Sequence, residues 1–174
     1  TALEISEISI SKVIYQSLTP ENSKSWIKFN SAEDQILHIQ IGIPKIPHLY
    51  DYRPEIKIFE NNVSEENLIK FVEYNRIPEE FHEPFTNTYS WILYDEKIPL
   101  KKNQNYYISS GKAERELSKL WIGIGYKEQF SISDWVTLPA SIDDIRKFHT
   151  SEIHNEIPPK SSEEYFFNYT TVTI

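Results

Sequence analysis

Two stretches of the chain hold most of the side chains that could do chemistry. The first is Pro44-Lys45-Ile46-Pro47-His48-Leu49-Tyr50-Asp51-Tyr52-Arg53-Pro54, where three prolines forbid continued strand pairing and make a loop. Loops held by a rigid scaffold are favoured places for binding residues. Tyr50 and Tyr52 would stack on a sugar ring and Asp51 would accept hydrogen bonds from its hydroxyls, with His48 beside them. The plainer alternative is that the tyrosines cap the core and Asp51 fixes the turn. The second stretch is Phe81-His82-Glu83-Pro84-Phe85-Thr86-Asn87-Thr88. Glu83, Asn87 and backbone carbonyls are hard oxygen donors of the kind calcium takes, and Asp95 or Asp51 would complete the shell from another loop. No EF-hand spacing accompanies them. The alternative is a loop docked by Phe81 and Phe85, with Glu83 bonded to nearby amides.

Other combinations are weaker. His149 and His154 are five apart, whereas a helical metal pair needs i, i+4 spacing, and the zincin pattern is missing. Gly123-Ile124-Gly125 is not a dinucleotide fingerprint. No nucleophile elbow or P-loop occurs. A carboxylate- or metal-dependent hydrolase would need several of His48, Asp51, His82, Glu83 and Asp95 to converge in one pocket.

Composition narrows the classes. With 26 acidic against 18 basic residues the formal charge is −8, and the basic residues are scattered, so nucleic acid is not the expected partner. The absence of Cys excludes a disulfide framework, a thiolate metal site and a thiol nucleophile. No run of about 18 apolar residues is present to span a membrane. The chain opens Thr1-Ala2-Leu3 and contains no Met, which reads as a processed or trimmed product. A removed signal peptide would account for that.

The elements that must position these residues are mainly strands. Eleven Tyr, nine Phe and four Trp in 174 residues, with many Ile, favour them. The organising stretch is Asn105–Tyr126, read as two strands. In the second, Leu120, Ile122, Ile124 and Tyr126 share one face while Trp121, Gly123 and Gly125 share the other. Such alternation marks a strand with one buried face, and the glycines leave the other face thin enough for a close neighbour. Gln35–Ile43 repeats the pattern, with Leu37, Ile39, Ile41 and Ile43 on one face. Ser11–Leu18, Lys24–Asn30, Glu55–Glu60 and Tyr89–Tyr94 read as further strands.

Two segments change period. Leu68, Phe71 and Val72 at i, i+3, i+4 after Ser64-Glu65-Glu66 predict a short helical insertion near 64–72. Ile142, Ile145 and Phe148, with acids early and bases late, predict a C-terminal helix near 141–149. Residues 73–88 read as irregular and 95–104 as a polar connection. Residues 1–150 therefore form one mainly β domain, a jelly-roll-like β-sandwich with short peripheral helices. Residues 151–174 form a linker and tail that would supply an added strand.

The strand order resembles the bacterial pre-peptidase C-terminal domain over roughly residues 11–126. Trp26-Ile27-Lys28-Phe29-Asn30, Ile36–Ile43, Glu55-Ile56-Lys57-Ile58-Phe59, Asn105-Tyr106-Tyr107-Ile108 and Leu120-Trp121-Ile122-Gly123-Ile124 follow that family's succession. The chain departs from it in lacking the acidic residue beside the first aromatic strand and the aspartate-rich start of the third, and in its long 61–88 insertion. Glu83-Pro84-Phe85 and Gly125-Tyr126-Lys127-Glu128-Gln129-Phe130 also look like motifs of uncharacterised prokaryotic envelope proteins. The resemblance implies a secreted or envelope-exposed β-sandwich and no activity. The leading expectation is a non-catalytic extracellular domain that recognises glycan or protein. The alternatives are the hydrolase and a structural surface-layer or filament subunit, whose tail strand would add to a neighbour.

Overall fold

The computed structural model describes residues 2–111, 118–127 and 142–150, and the backbone of 169–173. The expected linker and His154 lie outside them. The strands are β1 (Leu3–Ile5), β2 (Lys12–Leu18), β3 (Ser25–Ser31), β4 (Gln35–Pro44), β5 (Glu55–Glu60), β6 (Leu68–Phe71), β7 (Glu79–Glu83), β8 (Thr88–Leu100), β9 (Gln104–Gly111), β10 (Ser118–Ile124) and β11 (Tyr169–Thr173). They form two sheets, ordered β1-β3-β9-β5-β6 and β11-β2-β10-β4-β8-β7. All pairings are antiparallel except β1 with β3. The molecule is a β-sandwich, as expected.

The core lies between the sheets. Ile27 and Phe29 of β3, Ile56 and Ile58 of β5, and Tyr106 and Ile108 of β9 face one cluster with Ile14, Leu37, Ile39, Ile41, Leu120, Ile122 and Ile124 from the other sheet. Phe29 and Tyr106 stack with centroids 5.5 Å apart. The organising stretch supplies an interior strand to each sheet: β9 lies between β3 and β5, and β10 between β2 and β4.

Three readings need correction. The 64–72 segment is a 3-10 turn at Glu65–Asn67 followed by β6. Pairing with β5 overrides its helical spacing, and Phe71 is exposed opposite Lys57. Residues 79–83 are the edge strand β7, and β8 continues past Tyr94 through Pro99 to Leu100 because β4 pairs along all of it. Between Ile41 and Gly42 the register on β8 jumps from Tyr94 to Ile92, so Leu93 is the extra residue of a bulge. Leu93 and Tyr94 are both buried, and beyond the bulge Ser90 pairs on the outward face with Phe81 of β7.

A short helix α1 spans 142–148. Ile145 is buried, and Asp143 pairs with Lys147 one turn on at 2.8 Å. Among the described residues no helix is long and apolar enough to cross a membrane. The backbone of β11 joins the chain's own β2, Thr171 lying opposite Ile14.

Candidate functional site

The outward face of the six-stranded sheet carries a pocket. Its floor comes from the glycines that thin the outward faces of β4 and β10. Trp121 lies directly opposite Gly42, and a Cβ added at Gly42 would fall 2.1 Å from the indole ring. Glycine there lets the indole lie flat on the sheet, where it is only 5% exposed. Gly123 beside Gln40 leaves the next row shallow. A cavity of about 110 Å³ opens over these rows. Val13 and Tyr15 of β2, His38 and Gln40 of β4, Phe81 and Glu83 of β7, Thr88 and Ser90 of β8, and His149 after α1 line it.

Trp121 donates its indole N–H to Ser90 Oγ at 3.1 Å, and Ser90 Oγ lies 3.1 Å from His149 Nε2. His149 Nδ1 lies 2.7 Å from the Ile145 carbonyl, which only accepts, so Nδ1 carries the hydrogen. Burial lowers the His149 pKa; the Ile145 bond opposes that shift and the Lys119 charge adds to it. Lys119 reaches across to α1, donating to the carbonyls of Phe148 (2.9 Å) and Thr150 (3.0 Å), and burial lowers its pKa. Arg146 donates to the Thr86 carbonyl at 2.8 Å. Tyr15 meets the Phe148 ring edge-on at 5.0 Å, and burial with the nearby Glu83 charge holds its hydroxyl well above the usual phenol range.

At one end of the pocket, Asp95 accepts from Gln40 at 2.8 Å and lies 2.7 Å from His38 Nε2. Burial pushes the Asp95 carboxyl upward, but the bonds from Gln40 and His38 outweigh it and hold the group below its ordinary value.

The loop read as a binding site is arranged differently. Tyr52 is 4% exposed and belongs to the core, so it cannot stack on a ligand. Tyr50 is exposed but packs on the edge of Trp91 at 4.9 Å. His48 sits on a 3-10 turn, and His48 and Asp51 are exposed. Arg53 ties the loop by donating to the carbonyls of Tyr50 and Tyr52.

The oxygen donors proposed for calcium do not come together either. Glu83 accepts from the Phe85 amide at 3.0 Å, and Asn87, in the left-handed region at φ 54°, bonds His82 at 3.0 Å. Thr88 pairs with Glu83, and Asp95 lies seven residues farther along β8, a strand run of roughly 23 Å. Among the described residues no group of three or more His, Asp or Glu is placed to hold a metal. Of the five residues from which a hydrolase would draw several, Glu83 alone lines this pocket.

Sequence reasoning passed over Tyr15, Gln40, Ser90 and Trp121 as site residues. The available signal was the pair of glycine-bearing outward faces on β4 and β10. No protein-family model matches the chain, and no curated protein does. Among solved structures, a β-glucosidase from Paenibacillus barengoltzii aligns at TM-score 0.31 and 11% identity, over 71% of this chain and 11% of that one. The pre-peptidase C-terminal domain of a collagenase from Bacillus anthracis aligns at TM-score 0.45 and 14% identity, over 71% of this chain and 94% of that one.

Proposed function

We propose that the domain is a non-catalytic binding module, secreted or exposed at a cell envelope, that seats a saccharide group in the pocket over Gly42, Trp121 and Gly123. One observation carries the reading. The pocket sets the rings of Tyr15 and Phe81 beside the hydrogen-bonding groups of His38, Gln40 and Glu83. Apolar rings suit the face of a sugar, and a few placed polar groups suit its hydroxyls. Calorimetric titration with a panel of neutral mono- and oligosaccharides tests it. Gln40→Ala and Glu83→Gln should each weaken binding about tenfold, the loss of roughly one good hydrogen bond. Absence of any saccharide binding, or binding unchanged in both variants, would leave protein as the partner class.

A second reading, an acyl-transferring hydrolase, draws on the 3.1 Å approach of Ser90 Oγ to His149 Nε2 in the same pocket. Ser90 is 4% exposed and its oxygen already accepts from Trp121, which favours an anchoring role. Labelling of Ser90 by a fluorophosphonate probe would reverse that preference.

A further inference from the structure

We propose that α1 and the two residues after it form a latch on the pocket, closed by hydrogen bonds through neutral His149 and released when that histidine is protonated. The proposal deepens the binding reading, because His149 is one wall of the same pocket. Its test needs no ligand, so the two readings fail separately.

The positions of the hydrogens carry the argument. The Trp121 indole can only donate, and it donates to Ser90 Oγ. The Ile145 carbonyl can only accept, so it takes the hydrogen on His149 Nδ1. A neutral imidazole then offers a lone pair at Nε2, and Ser90 has one hydrogen to give it. Every hydrogen in the series Trp121, Ser90, His149, Ile145 has one place to go. Protonation puts a second hydrogen on the imidazole, at Nε2, aimed at an oxygen that already accepts from Trp121. The Ser90 hydrogen must turn away into a buried space, where an unmet donor is costly.

The charges around the latch act unequally. Lys119 on β10 is bonded to the carbonyls of Phe148 and Thr150, so a charged His149 would share that corner with an ammonium group. Arg146 and Lys147 on α1 add positive charge, Lys147 being paired with Asp143, while Asp144 on the same helix is exposed. On the opposing side, Glu83 of β7 favours the protonated form, but its carboxylate is held by the Phe85 amide. Tyr15 of β2 stays neutral, and His38 of β4 is engaged by Asp95. The other anchors of α1 described above, Lys119 and Arg146, act through cationic side chains. His149 is therefore the anchor whose charge changes between about pH 5 and 8.

The direction follows from linkage. Burial lowers the pKa of His149 in the closed state, so the released state binds the proton more tightly. The closed state has its full advantage above the ordinary histidine value of about 6.5 and loses it as pH falls below that value. Release removes one wall of the pocket and uncovers Tyr15, so a seated ligand would be let go in acid.

Amide hydrogen exchange on the whole chain tests the latch. The reporters are the amides of His149 and Thr150, which bond the carbonyls of Ile145 and Lys147 at 3.1 Å each. Their protection, normalised to intrinsic rates, should fall severalfold between pH 7.5 and pH 5.0. The amides of β10 should keep theirs. His149→Gln, which cannot titrate in this range, should lose the pH response. Equal protection of the wild-type amides at both pH values, or the same fall in His149→Gln, would overturn the latch. If the variant does not dock α1 at neutral pH, NMR titration of wild-type His149 decides: a midpoint below about 6.5 that tracks the exchange supports the latch, and one at or above it overturns it.

Discussion

The outward faces of the two sheets each carry a depression, about 170 Å³ beside Trp26 on one and about 110 Å³ over Trp121 on the other, and the two are built differently. On the five-stranded sheet, register places Trp26, Ser109 and Lys57 in one row and Lys28, Tyr107 and Phe59 in the next. Each of those positions carries a side chain, and Trp26 remains half-buried. On the six-stranded sheet the rows read Tyr15, Trp121, Gly42 and Val13, Gly123, Gln40. A missing side chain in each row lets Trp121 fold down over Gly42 and leaves a depression beside Gln40. On a sheet, relief depends as much on where side chains are absent as on which are present. A tryptophan standing on a full row and one lying in a glycine gap are different objects energetically.

Thermal melts of single variants test that contrast. Trp121→Ala should cost about 3–5 kcal/mol, as for other buried large-to-small changes. Trp26→Ala should cost about 1 kcal/mol, because the ring is less buried. At roughly 2–4 °C per kcal/mol for a chain of this size, thermal melts separate the two readily, and equal losses would end the comparison. Gly42→Ala comes next. Its Cβ would meet the Trp121 ring, and overpacking of this kind costs about 1–3 kcal/mol. Gly111→Ala is the control, since its nearest new contact is 3.8 Å away and the melt should move by no more than about 0.5 kcal/mol. A smaller effect than that of Gly42→Ala is expected at Asp95. Its folded pKa lies below the ordinary value, so its contribution is present above about pH 4 and is lost as pH falls through the folded pKa. Asp95→Asn should flatten the acid-unfolding curve below about pH 4. The change should stay under about 1 kcal/mol, because a side chain 35% exposed is screened by solvent.

The sheets were legible where large apolar side chains fall on alternate residues. Leu37, Ile39, Ile41 and Ile43 repeat at two residues, and so do Leu120, Ile122 and Ile124; all seven are core. Residues 68–72 misled because Leu68, Phe71 and Val72 fit a helix locally, whereas their structure is set by β5, a strand eleven or so residues away whose pull leaves no local trace. Residues 79–83 lack alternation because both faces of that edge strand are largely exposed. The loop 44–54 was recognisable as a loop from its prolines, but nothing local told the burial of Tyr52 from the exposure of Tyr50. The pocket was harder still. Its lining comes from β2, β4, β7, β8, β10 and the residue after α1, so no short motif spells it. The thin glycine face of 119–126 was visible in sequence, but its partner across the strands was not.

The interior position of β9 and β10 bears on how the chain is made. A ribosome delivers the N-terminus first, and among the described strands β2 is flanked by β10 and β11, while β3 is flanked by β9 and the three-residue β1. Until residue 124 has emerged, the chain can close the β4–β8, β7–β8 and β5–β6 pairs but cannot join β2 to its sheet. Long-range pairings of this kind wait for the late segment. Such a nascent chain holds separate strand pairs and no closed sandwich until its last hairpin partners arrive.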